Sequence, residues 1–251
     1  MTKNLRIVSK NAVTAVNGLT SAKSLNDYKS QYDTGTSFTL TLDAMYSNSL
    51  IAVIVYLAEN PGNLSMEIRN NNYNSQIGQV SGSIPVSYYN VSSPPIGYGS
   101  GGYFVAYIDP YAFGSPGSIV LLFNNTVKVS KFIVGPTWSP VYNVGYGVSV
   151  GYTDMTTVDR LHGGDQYAVI GPRHKTLRFD LQYVEETDKT YLLELSKIIG
   201  RSNTIFISVF PEDNDKAKEQ MYSVIGRLLT PPNISYSMYS MYATSLEIEE
   251  I

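Results

Sequence analysis

The sequence predicts a mainly β protein in two domains, and three observations carry that expectation. Short apolar runs recur along the chain, separated by clusters of Gly, Asn, Ser and Pro, the usual punctuation between strands. Only one segment shows the three- and four-residue apolar spacing of a well-formed helix. Tyrosine is abundant, at 21 residues against one tryptophan, while charged residues are only 16% of the chain. Tyr, Ser, Thr, Asn and Gly together favour strands and tight turns over helices. The expected architecture is a β-sandwich or jelly roll over residues 1–135, followed by a β-sandwich with one flanking α-helix over residues 136–251.

In the first domain the expected strands are Leu5–Ser9, Ser37–Leu42, Leu50–Ala58, Leu64–Asn70, Gly102–Asp109, Ser118–Asn124 and Thr126–Gly135. Leu50–Ala58 (LIAVIVYLA) is too short to span a bilayer, which takes about 20 residues, and reads as a strand buried on both faces. In Thr126–Gly135, Val127, Val129 and Lys131 alternate with Lys128 and Ser130, a period of two that predicts one buried face. FNNT and ENPGN read as turns. GPTWSP (Gly135–Pro140) predicts the domain boundary, because a glycine and two prolines follow the last apolar run.

Val141–Asp154 continues with strand-like alternation. The second domain then offers strands at Lys175–Val184, Thr204–Phe210, Met221–Leu229, Asn233–Tyr239 and Thr244–Ile251. The helix falls between the first two. Thr187 or Asp188 caps it, Tyr191, Leu192, Leu195, Ile198 and Ile199 form its apolar stripe, and Gly200 ends it. Pro211–Gln220 reads as a polar connection with at most one helical turn. In the last strand Leu246 and Ile248 face one way, and Ser245, Glu247 and Glu249 the other.

Charge and composition argue against several functions. Residues 1–135 hold eight Lys/Arg against six Asp/Glu, and residues 136–251 hold ten against fifteen. Neither half has the strongly basic balance that phosphate contacts require, so no nucleic-acid partner is expected. With no cysteine in the chain, disulfides and thiolate metal sites are excluded. The opening MTKNLRIVSKNAV has no apolar core of a signal peptide. No membrane insertion is expected, and the chain reads as soluble or as part of a soluble assembly.

No residue pattern in the sequence reads as a catalytic site. Gly97, Gly99 and Gly102 match G-x-G-x-x-G in letters, but the fingerprint needs a strand before it and a helix after it. Here SSPPI precedes and the β-like YFVAYID follows. His162, in DRLHGGDQY, reads as part of a polar turn, and His174, in GPRHKTLRFD, as a solvated strand start. The acidic pairs Glu185/Glu186, Asp213/Asp215 and Glu249/Glu250 lie in polar turns or at the chain end, without the buried, spaced carboxylates of a glycosidase. No enzyme, cofactor or metal is expected.

One stretch stands out. PVSYYNVSSPPIGYGSGGYFVAYIDPYAFGSPG (Pro85–Gly117) combines six tyrosines with many Gly, Ser and Pro. Tyr103 and Tyr107 suit the core face of a strand. Tyr88, Tyr89, Tyr98 and Tyr111 suit an exposed contact surface, because tyrosine offers a large ring and a hydroxyl at low entropic cost. That surface fits either a glycan or a neighbouring subunit.

FIVGPTWSPVYNVGYGVSVGYTD followed by DRLHGGDQYAVIGPRHKTLRFDL, with ISVFPEDND, YSVIGRL and TSLEIEEI beyond, resembles the C-terminal half of minor tail and distal tail proteins of tailed bacteriophages, over residues 133–251. The resemblance implies a non-enzymatic structural protein of the virion, made in the host cytoplasm and placed near the distal tip of the tail. It implies a tail-tube-like fold over 136–251, assembled into a ring with copies of itself and other tail proteins. Trp138, Tyr142 and Tyr146, in its aromatic segment, become candidate assembly-interface residues. It also implies a galactose-binding-like or carbohydrate-binding-like jelly roll over 1–135, which would touch host-surface carbohydrate. The alternative from the residues is a soluble carbohydrate-binding module with no tail role.

Overall fold

A computed structural model describes residues 4–18, 33–43, 50–57, 64–70, 76–80, 102–108, 116–160, 163–213 and 215–251. Strands make up 60% of the fold and helices 11%, so the protein is mainly β, built from antiparallel sheets. Two compact units form. The first comprises Met1–Pro140 with Thr204–Ser223, and the second comprises Val141–Asn203 with Val224–Ile251.

The strands of the first unit are β1 (Arg6–Val8), β2 (Val13–Asn17), β3 (Asp33–Leu42), β4 (Ile51–Leu57), β5 (Leu64–Asn70), β6 (Gln76–Val80), β7 (Gly102–Ile108) and β8 (Pro116–Trp138). β8 is the spine. Its first part, 116–123, pairs with β3 on one side and β5 on the other. Its second part, from Val127 onward, pairs with β4 and then β1. Between them the register with β3 jumps, since Ser37 faces Leu122 while Gly35 faces Val127. Five residue steps on β8 thus answer two on β3, a bulge with the two strands paired on either side of it.

The sequence reading broke this strand at FNNT and ended it at Gly135. Both expectations are corrected. The irregularity is absorbed as a bulge because partner strands hold both sides of it. Gly135 continues the strand, since a Cβ there would lie 2.0 Å from the Lys10 carbonyl oxygen. The close approach of two backbones, not a turn, requires glycine at that position. The alternation read into Thr126–Gly135 also fails, because Ser130, Phe132, Ile133 and Val134 are all buried.

The layers share one core. Phe38 and Leu40 from β3, Leu121 and Phe123 from β8, Val53 and Val55 from β4, and Phe104 from β7 meet there. The Phe38 ring lies 5.4 Å from Phe132 and 6.0 Å from Phe123. All seven residues of β4 are buried, as the unbroken apolar run predicts. Asn11 adds a polar clamp: its side-chain amide donates to the Phe132 carbonyl (3.0 Å), and its side-chain oxygen accepts the Val134 N–H (3.0 Å). The side chain thereby supplies hydrogen-bond partners to two backbone groups of β8.

Chain from far along the sequence finishes this unit. β13 (Ile205–Ser208) pairs antiparallel with β1, Ile7 facing Ile207. The helix Lys216–Met221 follows it. Arg6 is buried beneath this segment, its guanidinium 4.0 Å from the Tyr107 ring and 2.8 Å from a Glu212 carboxylate oxygen. Ser223 Oγ donates to the Glu219 carbonyl at 2.6 Å.

The second unit is a sheet ordered β14-β16-β12-β9, with β15 on β16. These are β9 (Ser149–Asp154), β12 (Arg173–Val184), β14 (Ser223–Leu228), β15 (Ser235–Met238) and β16 (Met241–Glu250); β10 (Thr157–Arg160) and β11 (Gln166–Val169) form a separate two-stranded ribbon. Leu177, Phe179 and Leu181 of β12 are buried with Leu246 and Ile248 of β16. The helix α1 (Glu186–Ile199) buries Leu192, Leu195 and Ile199, together with Asp188. It starts earlier than read. Asp188 is a buried residue of its first turn, and its carboxylate accepts the Val141 N–H at 3.0 Å instead of capping. Ile198, placed in the apolar stripe by spacing, is exposed. Gly200, with φ of 52°, ends the helix as expected.

Candidate functional site: a projecting β arm

The stretch DRLHGGDQY read as a polar turn. Instead, β10 and β11 form an antiparallel ribbon, Val158 facing Ala168 and Asp159 facing Tyr167. His162 lies outside the described residues. Every residue of both strands is exposed. Cross-strand partners share a face, so Val158 and Ala168 line one side, and Tyr167 with Asp159 and Val169 with Thr157 line the other. Val158, Tyr167, Val169 and the flanking Met155 and Ile170 are each at least half exposed. A lone two-stranded ribbon is marginal in water, and this one presents apolar side chains on both faces.

The root of the arm is built with care. Asp154 faces Arg173 at the end of the β9–β12 ladder, and Thr157 faces Val169 at the start of the ribbon. Met155 and Thr156 therefore lie opposite three residues, Ile170, Gly171 and Pro172, which makes a β-bulge that re-aims the arm. A side chain at position 171 would force the root to shift, because a Cβ would sit 2.3 Å from the Met155 carbonyl oxygen. Asp154 fixes the other strand. Its carboxylate accepts the Thr156 N–H (2.9 Å) and pairs with Arg173 Nε (2.8 Å). The Thr156 hydroxyl accepts the Gly171 N–H at 3.2 Å. The hydrogen bonds from Thr156, then the Arg173 guanidinium, hold the Asp154 carboxyl down to about 2.

β9, next to this root, ends the sheet. Met155 N–H donates to the Pro172 carbonyl at 3.1 Å. Ladder bonds alternate in an antiparallel pair, so Thr153, Gly151 and Ser149 carry them, and the backbone groups of Val150 and Tyr152 point away from β12. No strand lies on that side among the described residues. The Tyr152 side chain is 70% exposed.

Other exposed aromatics sit on the same unit. Tyr146, between Gly145 and Gly147, is fully exposed, while Tyr142 leans edge-on against Tyr183 at 6.2 Å. Trp138 ends β8 in the first unit, opposite Ile7, and is half-buried. The β15–β16 hairpin carries Tyr239, 90% exposed, at its tip beside Ser240 at φ 57°. Its base is a closed network. Tyr242 OH donates to a Glu186 carboxylate oxygen at 2.8 Å, and Lys189 pairs with Glu186 and lies 4.4 Å from the Tyr242 ring. These partners satisfy one another and leave no group aimed at a ligand.

Tyr88, Tyr89, Tyr98 and Tyr111 lie outside the described residues. Tyr107 sits on β7 against Arg6, where burial pushes its phenol well above the ordinary tyrosine range despite the neighbouring positive charge. His174 is a half-buried residue of β12 facing Thr153. Asp213 pairs with Lys218 at 2.9 Å, and Glu250 accepts the Lys175 N–H at 3.2 Å. Among the described residues no group of three or more His, Asp and Glu is placed to hold a metal, and no helix is long and apolar enough to cross a membrane. Sequence reasoning missed the arm because its strands are four residues each and carry Asp, Arg and Gln. The one available signal was Val158 and Tyr167–Ile170 flanking the GG turn. No protein-family model and no curated protein matches this chain.

Proposed function

We propose that this protein is a non-enzymatic structural subunit of a phage tail, which joins a symmetric ring near the distal tip through its second unit. One observation carries the reading. Of the sixteen strongly exposed large apolar side chains among the described residues, fifteen belong to the second unit, and Met221 is the exception. Exposed apolar residues scattered singly are ordinary, whereas a concentration of them marks an interaction surface. Nine of the fifteen lie on or beside the arm, the β9 edge and the β15–β16 hairpin, elements that project or end a sheet and so suit contact with protein. Cyclic repetition then multiplies modest contacts into a closed assembly. The bacteriophage resemblance over residues 133–251 supplies the tail context.

The test is negative-stain microscopy of the purified protein, alone and co-expressed with the products of the genes flanking its own. Rings of fixed subunit number, or a particle that includes those products, are expected. A protein that stays single under both conditions contradicts the reading.

A further inference from the structure

We infer that the contact between copies is an arm-to-edge contact: the β10–β11 arm of one copy is added along the free edge of β9 in the next. The inference rests on the assembly reading above and names the surfaces that would make it. The outward backbone groups of Val150 and Tyr152 have no strand beside them among the described residues. Among the described residues, neither strand of the arm has a partner on its outer edge. A strand laid beside β9 satisfies backbone groups on both sides at once. Each arm strand is four residues long and β9 is six, so the arm fits within the edge. Side chains match as well, because exposed Tyr152 would stand beside Tyr167 and Val169, which share one face of the arm, the aromatic and β-branched neighbours that stabilise paired strands.

A copy cannot supply its own arm. Only Met155 and Thr156 separate β9 from β10, and the bonds from Asp154, Thr156 and Gly171 hold these residues in a ladder that leads away from β9. β10 cannot reverse over two fixed residues to lie beside the strand it continues. The partner chosen is a second copy because one unit carries both halves of the contact. Arm and edge are different surfaces, so the contact is head-to-tail and propagates until a ring closes.

Two variants separate arm from edge. In the first, residues 157–169 are replaced by a short glycine turn, which keeps the β9 edge. In the second, Tyr152→Pro removes an outward N–H at the edge and no ladder bond to β12, and it keeps the arm. Sedimentation velocity should show each variant monomeric at concentrations where the wild type associates. Mixed one to one, the two should form heterodimers and nothing larger, since each supplies what the other lacks. A milder variant, Val158→Ser with Val169→Ser, guards against misfolding. It should weaken association at least tenfold with the melting temperature unchanged. Association of either principal variant alone, or a folded mixture that stays monomeric, overturns the arm-to-edge contact and leaves the assembly reading standing. A wild type that never self-associates overturns the contact between copies, and particles formed with neighbouring gene products would then still support the tail reading.

Discussion

β4 and the β10–β11 arm are opposite answers to the same problem. All seven residues of β4 are buried, on both faces, between β7 and β8. All eight residues of the arm are exposed on both faces, and several are apolar. β4 meets its partners inside its own unit, so its burial is part of folding. The arm has no further strand beside it among the described residues, yet its root is held by a bulge, an ion pair and two hydrogen bonds. Under the proposed arm-to-edge contact, a segment so fixed and so uncovered would be preorganised for a neighbouring copy. Apolar side chains serve stability in β4, and under the proposed contact those of the arm would serve association instead.

The sharpest way to break this contrast is to damage each side in turn. Phe132→Ala, at the centre of the Phe38 cluster, should cost about 3–5 kcal/mol in denaturant unfolding, since it leaves a cavity in a close-packed core. A loss under about 1 kcal/mol would mean that the core is looser than described. Gly171→Ala comes next. Its Cβ would collide with the Met155 carbonyl, so the root must shift at a cost of about 1–3 kcal/mol. The change should appear as faster amide exchange in 154–173 and not in β4. Serine replacement of Tyr167 and Val169 should change unfolding stability by no more than about 0.5 kcal/mol, because neither side chain is buried in the subunit. A clear loss of stability would show that the arm packs against its own unit.

The smallest effects are those of pH. The Tyr107 phenol has its folded pKa raised above the unfolded value of 10.0. Its contribution is therefore complete below that pH and is lost as the pH climbs past it. Tyr107→Phe should flatten that alkaline limb. Asp154 is shifted the other way, from 3.8 down to about 2, so its contribution is present above 3.8 and disappears as the pH falls through about 2. A carboxyl titration by NMR should show this shift, and Thr156→Val should relax it, since Thr156 is its main cause.

What could be read in the sequence was whatever a single strand or helix encodes by itself. The LIAVIVYLA run forecasts β4, the Leu192–Leu195–Ile199 spacing forecasts α1, and alternation around Leu246 and Ile248 forecasts β16. Features set by a distant partner were not readable. FNNT looks like a turn until β3, β4 and β5 hold the chain on either side of it. Gly135 looks like a breaker until the Lys10 carbonyl approaches it. The pairing of β1 with β13 joins residues some two hundred positions apart, and nothing near Arg6 announces Glu212. The arm was hidden because its strands are short and charged and because its apolar side chains serve no core. Exposed pairing of that kind leaves little periodic trace.

Oxidative footprinting read by mass spectrometry tests the central claim most directly, because Tyr and Met report their own exposure. The label at Met155, Tyr152 and Tyr167 should fall several-fold when the protein goes from dilute monomer to assembled particle, while Tyr56, already buried in β4, stays dark in both. Equal labelling of the arm and the β9 edge in the two states would contradict the account, since the apolar surface of the second unit would then face only water.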